Sequence, residues 1–216
     1  MSASRYFVPD LSPIDHPDLD WSRARIVFVA ESPHVSEVAP ERESERRPLC
    51  GMAGRVWWKL LGELLEGRVS DDVSLERLLT LAQSHGVIVM NAVQMPIDSK
   101  VTREFPDASP IRLLGFDKGP GPKTFKKLKS TQAVQTSLKR LAERLNSPEL
   151  SRLPVVCLGN DSEWFVKEAL GKDRFGAQVI CKLPHPSAWW RKGGHFGRVA
   201  REQLERLLKT VKRPPL

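Results

Sequence analysis

Four short apolar runs recur along the chain: Ile26–Ala30, Val87–Met90, Val155–Leu158 and Gln178–Leu183. The first three are apolar throughout rather than alternating, which is the pattern of strands covered on both faces of a parallel sheet. Helical faces lie between them. Trp57, Leu60, Leu61, Leu64 and Leu65 share one face, and Leu75, Leu78, Leu79 and Ala82 share another. Val134, Leu138, Leu141 and Leu145 repeat at helical spacing, and Ala200, Leu204, Leu207, Leu208 and Val211 form a closing amphipathic helix. Strands alternating with helices predict a three-layer α/β/α fold around a central, mostly parallel four-stranded sheet. Residues 1–22, rich in Pro and Asp, read as an irregular N-terminal arm, and residues 23–216 as a single domain. Gln94–Lys129, interrupted by five prolines, is the one long irregular stretch, and a connection that long in a compact domain is usually functional or mobile.

Composition narrows the class. The chain has 216 residues, 40 % apolar and 28 % charged, enough for a core and consistent with a soluble protein. No apolar run approaches the roughly 18–20 residues a membrane span needs, and the first residues lack the charged start and apolar stretch of a secretory signal. The expected location is the cytoplasm. Three cysteines, Cys50, Cys157 and Cys181, are too few for a four-cysteine zinc or iron–sulfur site. Cys157 and Cys181 lie in apolar runs and read as buried small hydrophobes. The net charge is +8, which favours a polyanionic partner, nucleic acid being the commonest. The excess is local: four aspartates and one arginine occupy residues 1–20, whereas Lys118–Lys129 holds five lysines and no acid. That run serves either as a solvated loop or as a track for a phosphate backbone.

Each apolar run ends in a polar or turn-forming cluster: Glu31-Ser32-Pro33-His34, then Asn91, then Gly159-Asn160-Asp161, then His185-Pro186-Ser187. Open α/β sheets bind ligands at the carboxyl ends of their strands, so this order brings an acid, an amide, a histidine and a hydroxyl to one edge. Each has a plainer alternative. Glu31 is also compatible with a helix-start or surface acid, Asn91 with a turn cap, and Gly51 and Gly54 with a simple helix start rather than a phosphate cradle. Trp189-Trp190-Arg191-Lys192, followed by two glycines, combines stacking aromatics with phosphate-binding cations, as nucleic-acid surfaces do; one of the two indoles packing inward is the other reading.

In order and strand context these motifs resemble the uracil-DNA glycosylase superfamily. Ala30-Glu31-Ser32-Pro33-His34 is similar to its first motif, of the type Gly-Glu-Ala-Pro-Gly. Arg47-Pro48-Leu49-Cys50-Gly51-Met52-Ala53-Gly54 is similar to the Lys-Pro-Phe-x-Gly-x-x-Gly stretch of the iron–sulfur branch. Asn91-Ala92-Val93 matches a strand end, His185-Pro186-Ser187 the His-Pro-Ser motif, and His195-Phe196 a pair found in some members. The resemblance spans about Ile26 to Leu208. It implies a DNA glycosylase that hydrolyses the N-glycosidic bond of a flipped-out uracil or another deaminated or damaged base. Glu31 and His185 would be catalytic, and Ser32, His34, Leu49 and Asn91 would bind substrate. Gly51, Ser187, Trp189, Trp190, Arg191, Lys192 and His195 would contact DNA, single- or double-stranded. A monomer with no metal and no other cofactor is expected. The chain departs from the family at Ser32, where several branches carry Asp or Asn, at Leu49, where an aromatic stacks on the base, and in lacking the cluster cysteines. These departures keep two alternatives in play: a non-catalytic nucleic-acid-binding module, and a nucleotide or nucleoside hydrolase using the same cleft.

The chemistry asks for this set of groups. Breaking the bond leaves an oxocarbenium-like sugar and an anionic base; a carboxylate activates water or offsets the sugar's charge, and a neutral donor stabilises the base. An Asn amide offers both donor and acceptor to a base edge.

Overall fold

The computed structural model describes residues 6–40, 46–67, 73–97 and 121–211. Most of the Pro-rich stretch, including residues 118–120 of the lysine run, lies outside them. Four strands, β1 (Ile26–Ala30), β2 (Val87–Asn91), β3 (Val155–Leu158) and β4 (Val179–Leu183), form one all-parallel sheet in the order β2-β1-β3-β4. The apolar runs are explained by two cores. Ile26, Phe28 and Ala30 of β1 face one side and Val27 and Val29 the other, so every residue of the strand is buried.

One side is covered by α2 (Met52–Glu66), α3 (Leu75–His85) and α7 (Arg191–Val211), with Trp57, Trp58, Leu61, Leu81 and Leu204 packed on Phe28, Val89 and Val156. The other carries α4 (Pro122–Leu128), α5 (Gln132–Leu145) and α6 (Asn160–Gln178), with Phe125, Val134, Leu141, Phe165 and Val166 packed on Val27, Val29, Ile88 and Cys157. A one-turn helix, α1 (Val35–Val38), follows β1. The three-layer α/β/α arrangement is thus present. Helix α3 shows why these helices stop where they do. The Ser74 hydroxyl accepts the Arg77 N–H at 3.2 Å, and Gly86 closes the helix at φ 64°; a Cβ there would lie 2.1 Å from the Arg23 carbonyl oxygen, so only glycine fits. Among the described residues, no helix is long and apolar enough to cross a membrane.

Three details differ from the sequence pattern. Helix α6 follows β3 although no clear periodicity announces it. Its apolar residues gather in the first half, and Gly171, at φ 74° and ψ 168°, breaks the helical path. Gln178 does not begin β4 but ends α6, where its amide donates to the Leu150 and Leu153 carbonyls at 3.1 Å each. Cys157 is fully buried, but Cys181 is only half-buried, because β4 is an edge strand with one face open.

The N-terminal arm is tied down. Leu11 makes an antiparallel bridge to Val89, covering the outer edge of β2 that would otherwise expose unpaired backbone. Beside it, Asp10 is fully buried. Its Oδ1 accepts the Asn91 N–H at 3.0 Å, and its Oδ2 meets Arg140 at 2.8 Å and Arg144 at 3.2 Å. Arg144 also pairs with Asp15 at 2.8 Å. Burial raises the pKa of Asp10, and the two guanidiniums oppose the rise. Removing one partner of a buried charge network leaves the others unpaired, so Asp10→Ala should cost about 3–5 kcal/mol in urea unfolding. Lys139→Ala, which breaks the exposed 3.8 Å pair with Glu143, should leave the midpoint in place. Equal effects of the two substitutions would show that the Asp10 network contributes no special stability.

Candidate active site

Because all four strands are parallel, their carboxyl ends share one edge, and the direction of strand order reverses between β1 and β3, the position where such sheets bind ligands. Asn91 is the last residue of β2 and lies in register with Ala30. Glu31 is the next residue after β1, and its carbonyl accepts the Val93 N–H at 2.9 Å. Gly159-Asn160-Asp161 follows β3, and His185 lies two residues after β4. Glu31, Asn91 and His185 therefore stand on a common edge.

Asn91 is the most constrained of them. Its N–H is taken by Asp10 and its carbonyl accepts from Arg140. Its side chain is 1 % exposed; its amide meets the Glu37 carboxyl only in poor geometry, and its amide oxygen has no hydrogen-bond partner. A buried carboxamide so sparsely bonded is rare in folded proteins and calls for an explanation.

Glu37, on α1, fills the space beside it. Its Oε2 accepts the Leu49 N–H at 3.1 Å, and the N–H groups of His34 and Gly51 also point to the carboxyl. Burial pushes its pKa up to about 8, opposed by those donors and by the neighbouring Asn91 amide. Leu49 is held at φ 60°, a strained conformation for a branched side chain. Its carbonyl lies where a Cβ on residue 54 would sit, 1.6 Å away, so Gly54 is what lets α2 begin there.

These contacts revise two expectations. Leu49 is not an open platform for a base: its side chain is buried in the core with Trp58 and Leu78 and borders a separate cavity of about 90 Å³. Gly51 is buried and its N–H already serves Glu37, so it is not free to cradle a phosphate. His34 is exposed and its Nδ1 lies 3.1 Å from Ser36 Oγ. Ser32 is half-buried.

On the other side of β1, Asp161 stands beside Glu31, and burial raises the pKa of the Asp161 carboxyl. Gly159, at φ 97°, brings β3 so close to the β4 end that a Cβ on it would lie 3.1 Å from His185 Cβ. His185 Nδ1 accepts the Ser187 N–H at 3.2 Å and lies 2.7 Å from Ser187 Oγ. Burial, and then the charge of Arg191, push the imidazole pKa down to about 4. At neutral pH the ring is uncharged, and because Nδ1 is an acceptor the proton sits on Nε2. His185 lines a cavity of about 440 Å³ with Gly159, Asn160, Lys182, Arg191, Phe196 and Gln203. The residues lining it do not include Glu31 or Asn91. Phe196 gives this cavity an aromatic wall, and Lys192 Nζ lies 5.6 Å from that ring's centre. His195 is exposed.

The two tryptophans part company. Trp189 is 4 % exposed, donates its indole N–H to the Pro184 carbonyl at 2.9 Å and packs on Gly197; it is a core residue, not a DNA contact. Trp190 is 58 % exposed. Lys192, Gly193 and Gly194 follow in left-handed conformations, forming a turn that leaves Trp190, Arg191 and Lys192 outward. Glu37 and Asp161 are the site residues that sequence reasoning did not single out. Asp161 lay in a recognised turn cluster; Glu37 carried no signal beyond an acid among apolar neighbours. Among the described residues no group of three His, Cys, Asp or Glu side chains could hold a metal ion. No family model and no curated protein matches this chain.

A ¹⁵N NMR titration should find His185 uncharged with its proton on Nε2 down to about pH 4, and Arg191→Ala should raise that pKa by removing a nearby positive charge. An imidazole protonating near its ordinary value of about 6.5 would show that it is not desolvated as described.

Proposed function

We propose that this chain is a DNA glycosylase of the uracil-DNA glycosylase type, removing a deaminated or otherwise damaged base that has been flipped out of the stack. The observation that carries this reading is Asn91: a buried carboxamide that meets only the Glu37 carboxyl and keeps its amide oxygen without a partner, on the sheet edge that also carries Glu31 and His185. An amide edge on a base, as in uracil or hypoxanthine, supplies the complementary acceptor and donor.

In this reading the Glu31 side offers negative charge toward C1′, where the sugar becomes oxocarbenium-like. The neutral His185 offers its Nε2–H to the oxygen of the departing base, which gains negative charge as the bond breaks. An uncharged donor suits this role, since it stabilises the base anion without first having to lose a proton. Phe196 supplies the aromatic surface that Leu49 does not. Trp190 is the candidate wedge for the space the base leaves, with Arg191 and Lys192 toward the phosphates. Glu37, uncharged at neutral pH, keeps a further negative charge away from the leaving base. A binding module without catalysis is the second reading, favoured by Ser32 in place of a water-activating acid and by the burial of Leu49.

The test is a set of oligonucleotides carrying uracil, hypoxanthine, xanthine or oxidised pyrimidines, incubated with the protein and cleaved by alkali at abasic sites. At least one base should be released. Glu31→Gln and His185→Ala should each slow release by about 10²–10⁴-fold while changing DNA affinity little, because both act on charge formed in the transition state. Binding of every oligonucleotide without release of any base would establish the binding module instead.

A further inference from the structure

Helix α4 carries the described part of the lysine run, and its two faces differ. Phe125 is fully buried and fastens the helix to α6, its ring centre 5.4 Å from that of Trp164 and 4.6 Å from that of Phe165. Lys123, Lys126 and Lys127 are exposed; their spacing of i, i+3 and i+4 puts them together on the opposite face. Lys129, just past the helix, pairs with Glu168, whereas none of these three forms an ion pair among the described residues. Helix formation does not account for such a face. Lys123 lies in the first turn, where the macrodipole favours an acid, and that turn has none. It also repels Lys126 and Lys127 at the spacing where opposite charges would stabilise the helix. Helix α6 starts at the carboxyl edge of the sheet, directly after β3, and Phe125 meets it within its first two turns. The lysines of α4 therefore stand beside that edge on one face of the sheet, and Arg191 and Lys192 stand beside it on the other.

We propose that the Lys123, Lys126 and Lys127 face of α4 is a rail for the phosphate backbone of DNA, engaging phosphates outside the target nucleotide and reading no bases. An ammonium group is a compact charge on a flexible stem, which suits phosphates that position a duplex or strand without carrying sequence information. A strand crossing the edge at Glu31, Asn91 and His185 then meets cations on both flanks, Arg191 and Lys192 toward one side and α4 toward the other. Each phosphate that a lysine neutralises releases condensed counterions, and the same contact offsets the repulsion among the three ammonium groups. The choice of DNA as the polyanion rests on the base-excision reading; the unpaired basic face belongs to the fold itself.

The test is the salt dependence of binding, measured by fluorescence anisotropy on labelled duplex and single-stranded DNA without a damaged base. Combining Lys123→Ala, Lys126→Ala and Lys127→Ala should weaken binding about tenfold or more near about 0.1 M salt. It should lower the slope of log K against log salt by about two to three. The loss should be the same for every sequence, and the variant should melt no lower than the wild type, because a repulsion has been removed. Arginine at the same three positions should restore the slope. Alanine at three exposed lysines elsewhere, Lys167, Lys172 and Lys209, should change it by less than about one. A wild-type slope in the α4 alanine variant, or an equal loss in the control variant, would overturn the rail. So would a wild-type protein that binds no DNA, or one that instead binds phosphatidylserine vesicles through these lysines. Base release with an unchanged slope would refute the rail alone. The full loss of slope, with no base released from any oligonucleotide, would leave the rail standing and refute the glycosylase reading.

Discussion

A carboxylate taken out of water has to be met by donors, and Asp10 is met by donors from distant parts of the chain: the Asn91 N–H at the end of β2 and the guanidiniums of Arg140 and Arg144 on α5. None of these groups is satisfied unless the arm, the edge strand and the helix are all in place. The network therefore acts as a registration device. It anchors the backbone of Asn91 on both sides, through its N–H and its carbonyl, and takes no part in holding the side-chain amide. A buried ion network is weak evidence of net stabilisation compared with an apolar core; what it supplies here is position. With its backbone held in place, Asn91 keeps its side chain beside Glu37 with the amide oxygen unbonded.

The rest of the edge is organised around where protons sit. His185 is held neutral by burial, so its contribution to stability is present above its unfolded pKa of about 6.5 and fades as pH falls toward about 4. Glu37 behaves oppositely. Between about 4.5 and 8 the unfolded chain gives up its proton while the fold retains it, so raising pH through that range weakens the fold. Near neutrality the edge thus presents an uncharged imidazole and an uncharged Glu37. A phosphate chain approaching this edge meets less repulsion than the number of acidic residues there would impose.

How much of this was legible in the sequence follows from which residues act locally. The strands were readable because burial on two faces demands an unbroken apolar run, as in Ile26–Ala30. The edge positions of Glu31, Asn91 and His185 were readable because each ends such a run and parallel strands align their ends. Helix α6 was not, because Gly171 and a polar second half erase the periodicity. Trp189 and Trp190 are the same residue type side by side, and contacts distant in the pattern, the Pro184 carbonyl and Gly197, distinguish the buried one. Glu37 and Asp161 were hidden for a related reason. Their chemistry comes from what meets them in space: the loop at Leu49 for one, and the end of a neighbouring strand for the other.

The central claim is that this edge is built to meet a sugar that becomes cationic as its base leaves. It is tested most directly by comparing two duplexes that differ at one nucleotide, one with a neutral tetrahydrofuran abasic site and one with a cationic pyrrolidine in its place. At pH 7 the pyrrolidine duplex should bind about tenfold or more tightly, a difference of about 1.4 kcal/mol or more, and Glu31→Gln should abolish most of that preference. Equal affinity of the wild-type protein for the two duplexes would contradict the account.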